Sequence, residues 1–168
     1  MRKDNKGFSL VELIIVIALV AVLGAVITFT VSLIFSGNAK TCANDLRTAI
    51  NDCKVNCMSR VDAYMEVTRG DDDCIYVQHF IKNAGDSSYT PYGDRQKIGR
   101  NRVTVEFGDS RGGTLTSLSP TDSITISFNR ANGAFKDTVP KYIHVAGGSK
   151  DYDLELITLT GKLKLTEN

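Results

Sequence analysis

Proline is absent before Pro91, and the chain of 168 residues holds only three. Nothing stronger than Gly24 and Gly37 therefore interrupts a helix in the first part of the chain. Histidine is scarce too, with His79 and His144 isolated from each other, and a lone histidine in an amphipathic element usually serves the fold. No serine sits in a Gly-x-Ser-x-Gly elbow. Gly161-Lys162 lacks the glycine five residues earlier that a phosphate loop needs, since Leu156 stands there. No pair of acids presents itself for general acid and base work, so the sequence assigns no catalytic residue, no cofactor and no resident metal. An excess of one charge is also missing. The formal net charge is +1, which gives no general attraction for nucleic acid of the kind a basic stripe would provide.

What the chain does have is one long apolar run. A short polar and basic leader, Met1 to Gly7, passes directly into Phe8 to Phe35, and Glu12 is the only charge in that stretch. A bilayer core takes about 20 apolar residues of helix, so the run is long enough to span. An ordinary secretory signal would have an apolar region of about 7–15 residues with no carboxylate. Gly37-Asn38-Ala39 is the small-residue tripeptide that such a reading would use for cleavage. A plain signal anchor leaves Glu12 unexplained, because an acid at mid-membrane depth costs about 2.5–3.5 kcal/mol on insertion scales and is kept for a partner or a function.

The segment Gly7-Phe8-Ser9-Leu10-Val11-Glu12 resembles the processing site of type IV pilins and of the related pseudopilins of secretion and DNA-uptake systems. The resemblance implies a prepilin peptidase that cuts after Gly7 and methylates the new terminus at Phe8. It implies that Glu12 pairs with the amino terminus of a neighbouring subunit and sets the stagger of a filament. Other subunits, an inner-membrane platform protein and an assembly ATPase are the partners it brings with it. Physically, Gly7 lets the backbone lie close against a protease. A buried carboxylate without a partner is costly, so the Glu12 pair would fix register more than it would add stability. The leader's Arg2, Lys3 and Lys6 would hold the N-terminus in the cytoplasm. Filament members of the family commonly carry a proline about two-thirds of the way through the membrane part, where this chain has Phe29.

Beyond Phe35 the composition turns mixed, and the spacing predicts that the helix continues. Ala39, Cys42, Leu46, Ala49, Ile50, Cys53, Cys57, Val61 and Tyr64 recur at three- and four-residue steps, ending near Arg69-Gly70. The whole helix would have about 60 residues and measure about 90 Å. Asp71-Asp72-Asp73 lacks the ligand spacing of a calcium loop and reads as the start of a short helix from Cys74 to Asn83, with a strand Ile75 to Phe80 as the alternative. A polar loop is expected over 86–102. From about 102 to 166 the period is two, as in Val103, Val105 and Phe107 or Ile124, Ile126 and Phe128, which predicts four or five antiparallel strands. The expected class is α+β, a long N-terminal helix with its outer half packed on a small antiparallel sheet, which is also the pilin architecture. The leader 1–7, the membrane and filament-core helix 8–35 and one extracytoplasmic head 36–168 are the expected divisions. The C-terminal strand rhythm faintly resembles that of H-type minor pseudopilins.

Four cysteines in an exported domain suggest disulfides. Cys42 and Cys53 lie about 16 Å apart along a helix, too far to join. Cys57 to Cys74, or Cys53 to Cys74, is the expected bridge, and four reduced thiols filling the core is the competing reading. Zinc held by Cys53, Cys57, Cys74 and His79 is a weaker alternative. The function expected is that of a structural subunit of a pilus or related filament, spanning the membrane once before assembly and extracellular after it. Alternatives are a minor pseudopilin, a membrane-anchored binding domain that never polymerises, and a DNA-capturing pilin using Arg95, Lys97, Arg100 and Arg102.

Overall fold

A computed structural model describes residues 9–59 and 62–168. Its first element is the helix α1, Leu10–Ser59, 50 residues long and so about 75 Å in length. The helix starts where Leu13 N–H donates to Ser9 O at 3.1 Å. It divides into two halves by what it touches. Residues 9–25 are exposed on every side, and no residue before Ser36 is buried among those whose side chains are described. From there Ala39, Cys42, Ala43, Leu46, Ala49, Ile50, Cys53 and Cys57 are buried, while Lys40, Asn44, Arg47 and Asn51 face solvent. The apolar part of α1 is long and apolar enough to cross a membrane.

The helix stops ten residues before the expected end near Arg69. Residues 62–69 form strand β1, Asp62–Arg69. Helical spacing from Cys57 puts Tyr64 on the apolar face of a helix, but here Ala63, Met65 and Val67 are buried while the residues between them are only partly so. That two-residue alternation places one apolar row against the helix and leaves the other row on the far face. The expected short helix at 74–83 is instead strand β2, Ile75–Lys82, the alternative weighed for that segment. The expected loop at 86–102 contains strand β3, Thr90–Gly99.

The remaining strands are β4 (Thr104–Gly108), β5 (Thr116–Ser117), β6 (Ser123–Ser127), β7 (Tyr142–Gly147), β8 (Lys150–Ile157) and β9 (Lys162–Glu167). They form two antiparallel sheets rather than one. The four-stranded sheet runs β3-β2-β1-β6, and the five-stranded sheet runs β5-β4-β7-β8-β9. The class expected, one long helix followed by antiparallel sheet, is the one observed, with the sheet beginning at residue 62 instead of about 102.

Both sheets pack on the outer half of α1. Met65, Val67, Ile75, Ile124 and Ile126 come from the first sheet, and Val105, Ile143, Val145, Leu154 and Leu156 from the second. Burying each such side chain contributes about 1.5–3 kcal/mol relative to exposure. Arg69 stitches the two sheets together, donating from Nε to Leu118 O at 2.8 Å and from Nη2 to Val103 O at 3.0 Å. Lys54 donates to Gly161 O at 3.0 Å and so holds the β8–β9 turn against the helix.

Candidate functional site: the N-terminal helix and the base of the head

Glu12 lies in the first turn of α1, where the partial positive charge of a helix start favours a carboxylate. Around it Leu10, Val11, Leu13 and Ile14 are exposed by 73, 63, 56 and 57 %. No described residue forms an ion pair with Glu12, so the carboxylate sits on an apolar rod with no partner from the described part of its own chain. Gly7 and Phe8, the expected cleavage and methylation positions, lie outside the described residues.

The other end of the rod is held by the β7–β8 turn. Ser36 Oγ donates to Ser32 O at 2.9 Å and accepts the Ser149 amide at 3.1 Å. Gly148, at φ 69°, fits so closely that a Cβ there would come within 2.5 Å of Ser32 O. The head therefore reaches down to Ser32, inside the apolar run that ends at Phe35. Arg102 places its guanidinium 5.0 Å from the centre of the Phe35 ring. Beside it opens a cleft of about 650 Å³ between α1, the β1–β2 turn and the end of β3, with Asn38, Thr41, Lys97, Arg100 and Asn101 in its wall.

Of the four basic residues that the DNA reading grouped together, Arg95 and Lys97 are engaged within the fold around Tyr76, while Lys97 and Arg100 share the cleft wall. Arg95 lies 4.1 Å over the Tyr76 ring and donates to Thr68 Oγ1. Lys97 pairs with Asp72 at 3.2 Å, and Arg100 and Arg102 stand at the base. Asp72 does not start a helix; it accepts from Tyr76 Oη at 2.8 Å and from the Cys74 amide at 3.3 Å, closing the β1–β2 turn.

All four cysteines are free and buried, so the expected bridge from Cys74 to Cys57 or Cys53 is not made. The register explains why. Cys74 precedes Ile75, which pairs with Arg69, whereas Cys57 donates to Ala63 O at the opposite end of β1. At about 3.3 Å per residue the two ends of that hairpin lie roughly 20 Å apart. Cys53 and Cys57 do meet, with their sulfurs 3.9 Å apart. Their hydrogen bond draws the Cys57 thiol down against the effect of burial, and together with burial pushes Cys53 up. Burial is also the main cause that raises the Cys42 thiol, to about 12. Among the described residues no group of three metal-binding side chains comes together: of the weaker zinc set, Cys53 and Cys57 meet on α1, while Cys74 and His79 lie just before and on β2.

One cluster had no signal in the sequence. Asp153 is buried, although it lies on a strand of the second sheet facing His144 in register. His144 Nδ1 is 2.7 Å from its carboxylate, Asn168 Nδ2 donates to it at 2.6 Å, and Arg111 stands 3.3 Å away. Burial alone would raise this carboxyl; hydrogen bonds from Tyr142, His144 and Asn168 outweigh it and hold the group below the usual carboxylate range. His79 Nδ1, in contrast, is buried with no hydrogen-bond partner among the described residues, and burial lowers its pKa.

A long apolar helix followed by antiparallel sheets, with an acid in the first turn, defines a pilin-like arrangement. Residues 2–28 match the family model of the prokaryotic N-terminal methylation motif, the class III signal of type IV pilins and pseudopilins. That motif belongs to a family of structural subunits, and with the apolar helix it suggests a membrane-anchored protein. No curated protein and no solved structure significantly matches the chain.

Proposed function

We propose that this protein is a structural subunit of a type IV pilus or a related filament. A membrane-embedded prepilin peptidase would remove residues 1–7 and methylate Phe8, and a platform protein with an assembly ATPase would then draw the helix from lipid into a bundle of like helices. The observation that carries this reading is Glu12: one carboxylate, in the first turn of a rod exposed on all sides, inside the stretch that matches the methylation motif. Moving from lipid into a helical bundle keeps apolar side chains in apolar surroundings, so the transfer itself costs little. An acid left unpaired in that bundle is expensive, and a neighbour's newly made ammonium is the group that would meet it.

The test is a Glu12→Gln variant in the native cell. Filament incorporation should fall at least tenfold while membrane levels of the precursor stay the same. Unchanged incorporation would leave Glu12 dispensable and favour a membrane-anchored domain that never polymerises.

A further inference from the structure

We propose that the base of the head is a binding site for the headgroup of an anionic phospholipid in the outer leaflet of the membrane that stores the subunit. The inference rests on the membrane-stored precursor described under Proposed function, and goes beyond it by naming what the head touches before assembly.

Three observations place the site. First, the head has no spacer from the membrane: Gly148 meets α1 at Ser32, in the last turn of the apolar run, and Ser149 meets it at Ser36, one residue beyond that run. With the run in a bilayer, these turns stand at headgroup depth. Second, Arg102 holds its guanidinium over the ring of Phe35, the final apolar residue, in a backbone conformation of φ 67° that residues other than glycine rarely adopt. A cation stacked on the aromatic ring at the end of a span lies where phosphates lie. Third, the cleft of about 650 Å³ opens beside Asn38, one turn above Phe35; its wall holds the donors Arg100, Asn101, Thr41 and Asn38 together with the carboxylates Asp45 and Asp72, the latter paired with Lys97.

Charge decides between headgroups. Asp72 is already tied to Lys97, Asp73 to Arg69 and Glu167 to Lys150. Arg100 and Arg102 form no ion pair among the described residues and are exposed, and of the two acids in the cleft wall, Asp45 and Asp72, the second is taken by Lys97. The two arginines lie on the residues leading from β3 to β4, at the membrane end of both sheets. A guanidinium offers a fork of donors that matches phosphate oxygens. Basic residues held near an anionic surface contribute roughly a factor of five each to lipid attraction. A phosphate seated here would be released when the helix leaves the bilayer, so the site would act on the stored subunit and not on the assembled one.

The experiment uses the full chain in neutral detergent micelles, titrated with phosphatidylglycerol or phosphatidylcholine and read by native mass spectrometry. One phosphatidylglycerol should bind about tenfold or more tightly than phosphatidylcholine, and Arg100→Gln with Arg102→Gln should abolish the preference. Lys162→Gln, at the far end of the head, should leave it intact. Melting of each variant within two degrees of the parent shows that the fold survives; a single Arg100→Gln variant serves if the double variant melts early. Equal binding of the two lipids, or an unchanged preference in the arginine variants, would overturn the proposal. So would soluble glycerol phosphate competing at the concentration of the lipid, which would mark a general anion site. Protease accessibility of the head in liposomes separates the two readings. A chain that fails to insert defeats membrane storage and this site together, whereas loss of lipid preference in a chain that inserts normally defeats this site alone.

Discussion

The Ser149 amide donates to Ser36 Oγ at 3.1 Å, joining a turn of the second sheet to the helix one residue beyond its apolar run. Ser36 is itself buried under that turn, so its hydroxyl depends on protein partners for its hydrogen bonds. Next to it, Gly148 has φ 69° and no room for a side chain, while Gly112 has φ 80° and open space. Gly112→Ala should therefore cost only the backbone term, about 1 kcal/mol. Gly148→Ala adds a clash with the helix backbone and should cost at least about 2 kcal/mol more. Thermal melting of the full chain in detergent checks the order, and an equal shift for the two would contradict this packing.

The outer half of α1 predicts a sharp contrast between its faces. Leu46 is fully buried between the two sheets, and Leu46→Ala should destabilise by about 2–5 kcal/mol. Asn44, exposed two residues earlier, should tolerate alanine to within about 0.5 kcal/mol. Denaturant melts of the two variants measure the difference directly.

Four free thiols should titrate when the protein is unfolded without reductant. In the folded protein they should react slowly, since all four are buried. Joining Cys74 to Cys57 would require opposite ends of the β1–β2 hairpin to meet. A tryptic peptide linking those two residues in freshly purified protein would contradict the structure.

Asp153 gives a pH dependence with a definite sign. Its carboxyl titrates below the ordinary value because Tyr142, His144 and Asn168 donate to the charged form more strongly than burial opposes it. A group depressed in the folded state contributes stability above its unfolded pKa of about 3.9, and that contribution disappears as pH falls through the lower folded value. Melting temperature should thus drop below about pH 4, and Asp153→Asn should flatten that drop while lowering stability at neutral pH. A parent and variant with parallel profiles would show that the cluster is not coupled to folding.

How much of this was legible in the chain follows from how local each feature is. The span and Glu12 are read from one uninterrupted run, and the buried face from Ala39 to Cys57 from the helical period. The helix end was missed because Val61 and Tyr64 fall at helical spacing from Cys57, with no glycine or proline before Gly70. Tertiary packing of Ala63, Met65 and Val67 decides for a strand there. Strand β3 was missed because it is an edge strand with its first eight residues exposed, which leaves no apolar alternation to read. Asp71 to Asp73 looked like a helix start because acids suit both a first turn and a tight hairpin. The base cleft and the Asp153 cluster had no signal at all. Each is assembled from segments far apart in sequence, and a buried aspartate is recognised only by the partners that surround it.

Intact mass and N-terminal peptide mapping of protein sheared from the surface of its native cell tests the proposed processing most directly. A first residue of N-methylated Phe8, with residues 1–7 absent, is the predicted result. A mature chain that retains its leader, or that begins after Ala39, would contradict it.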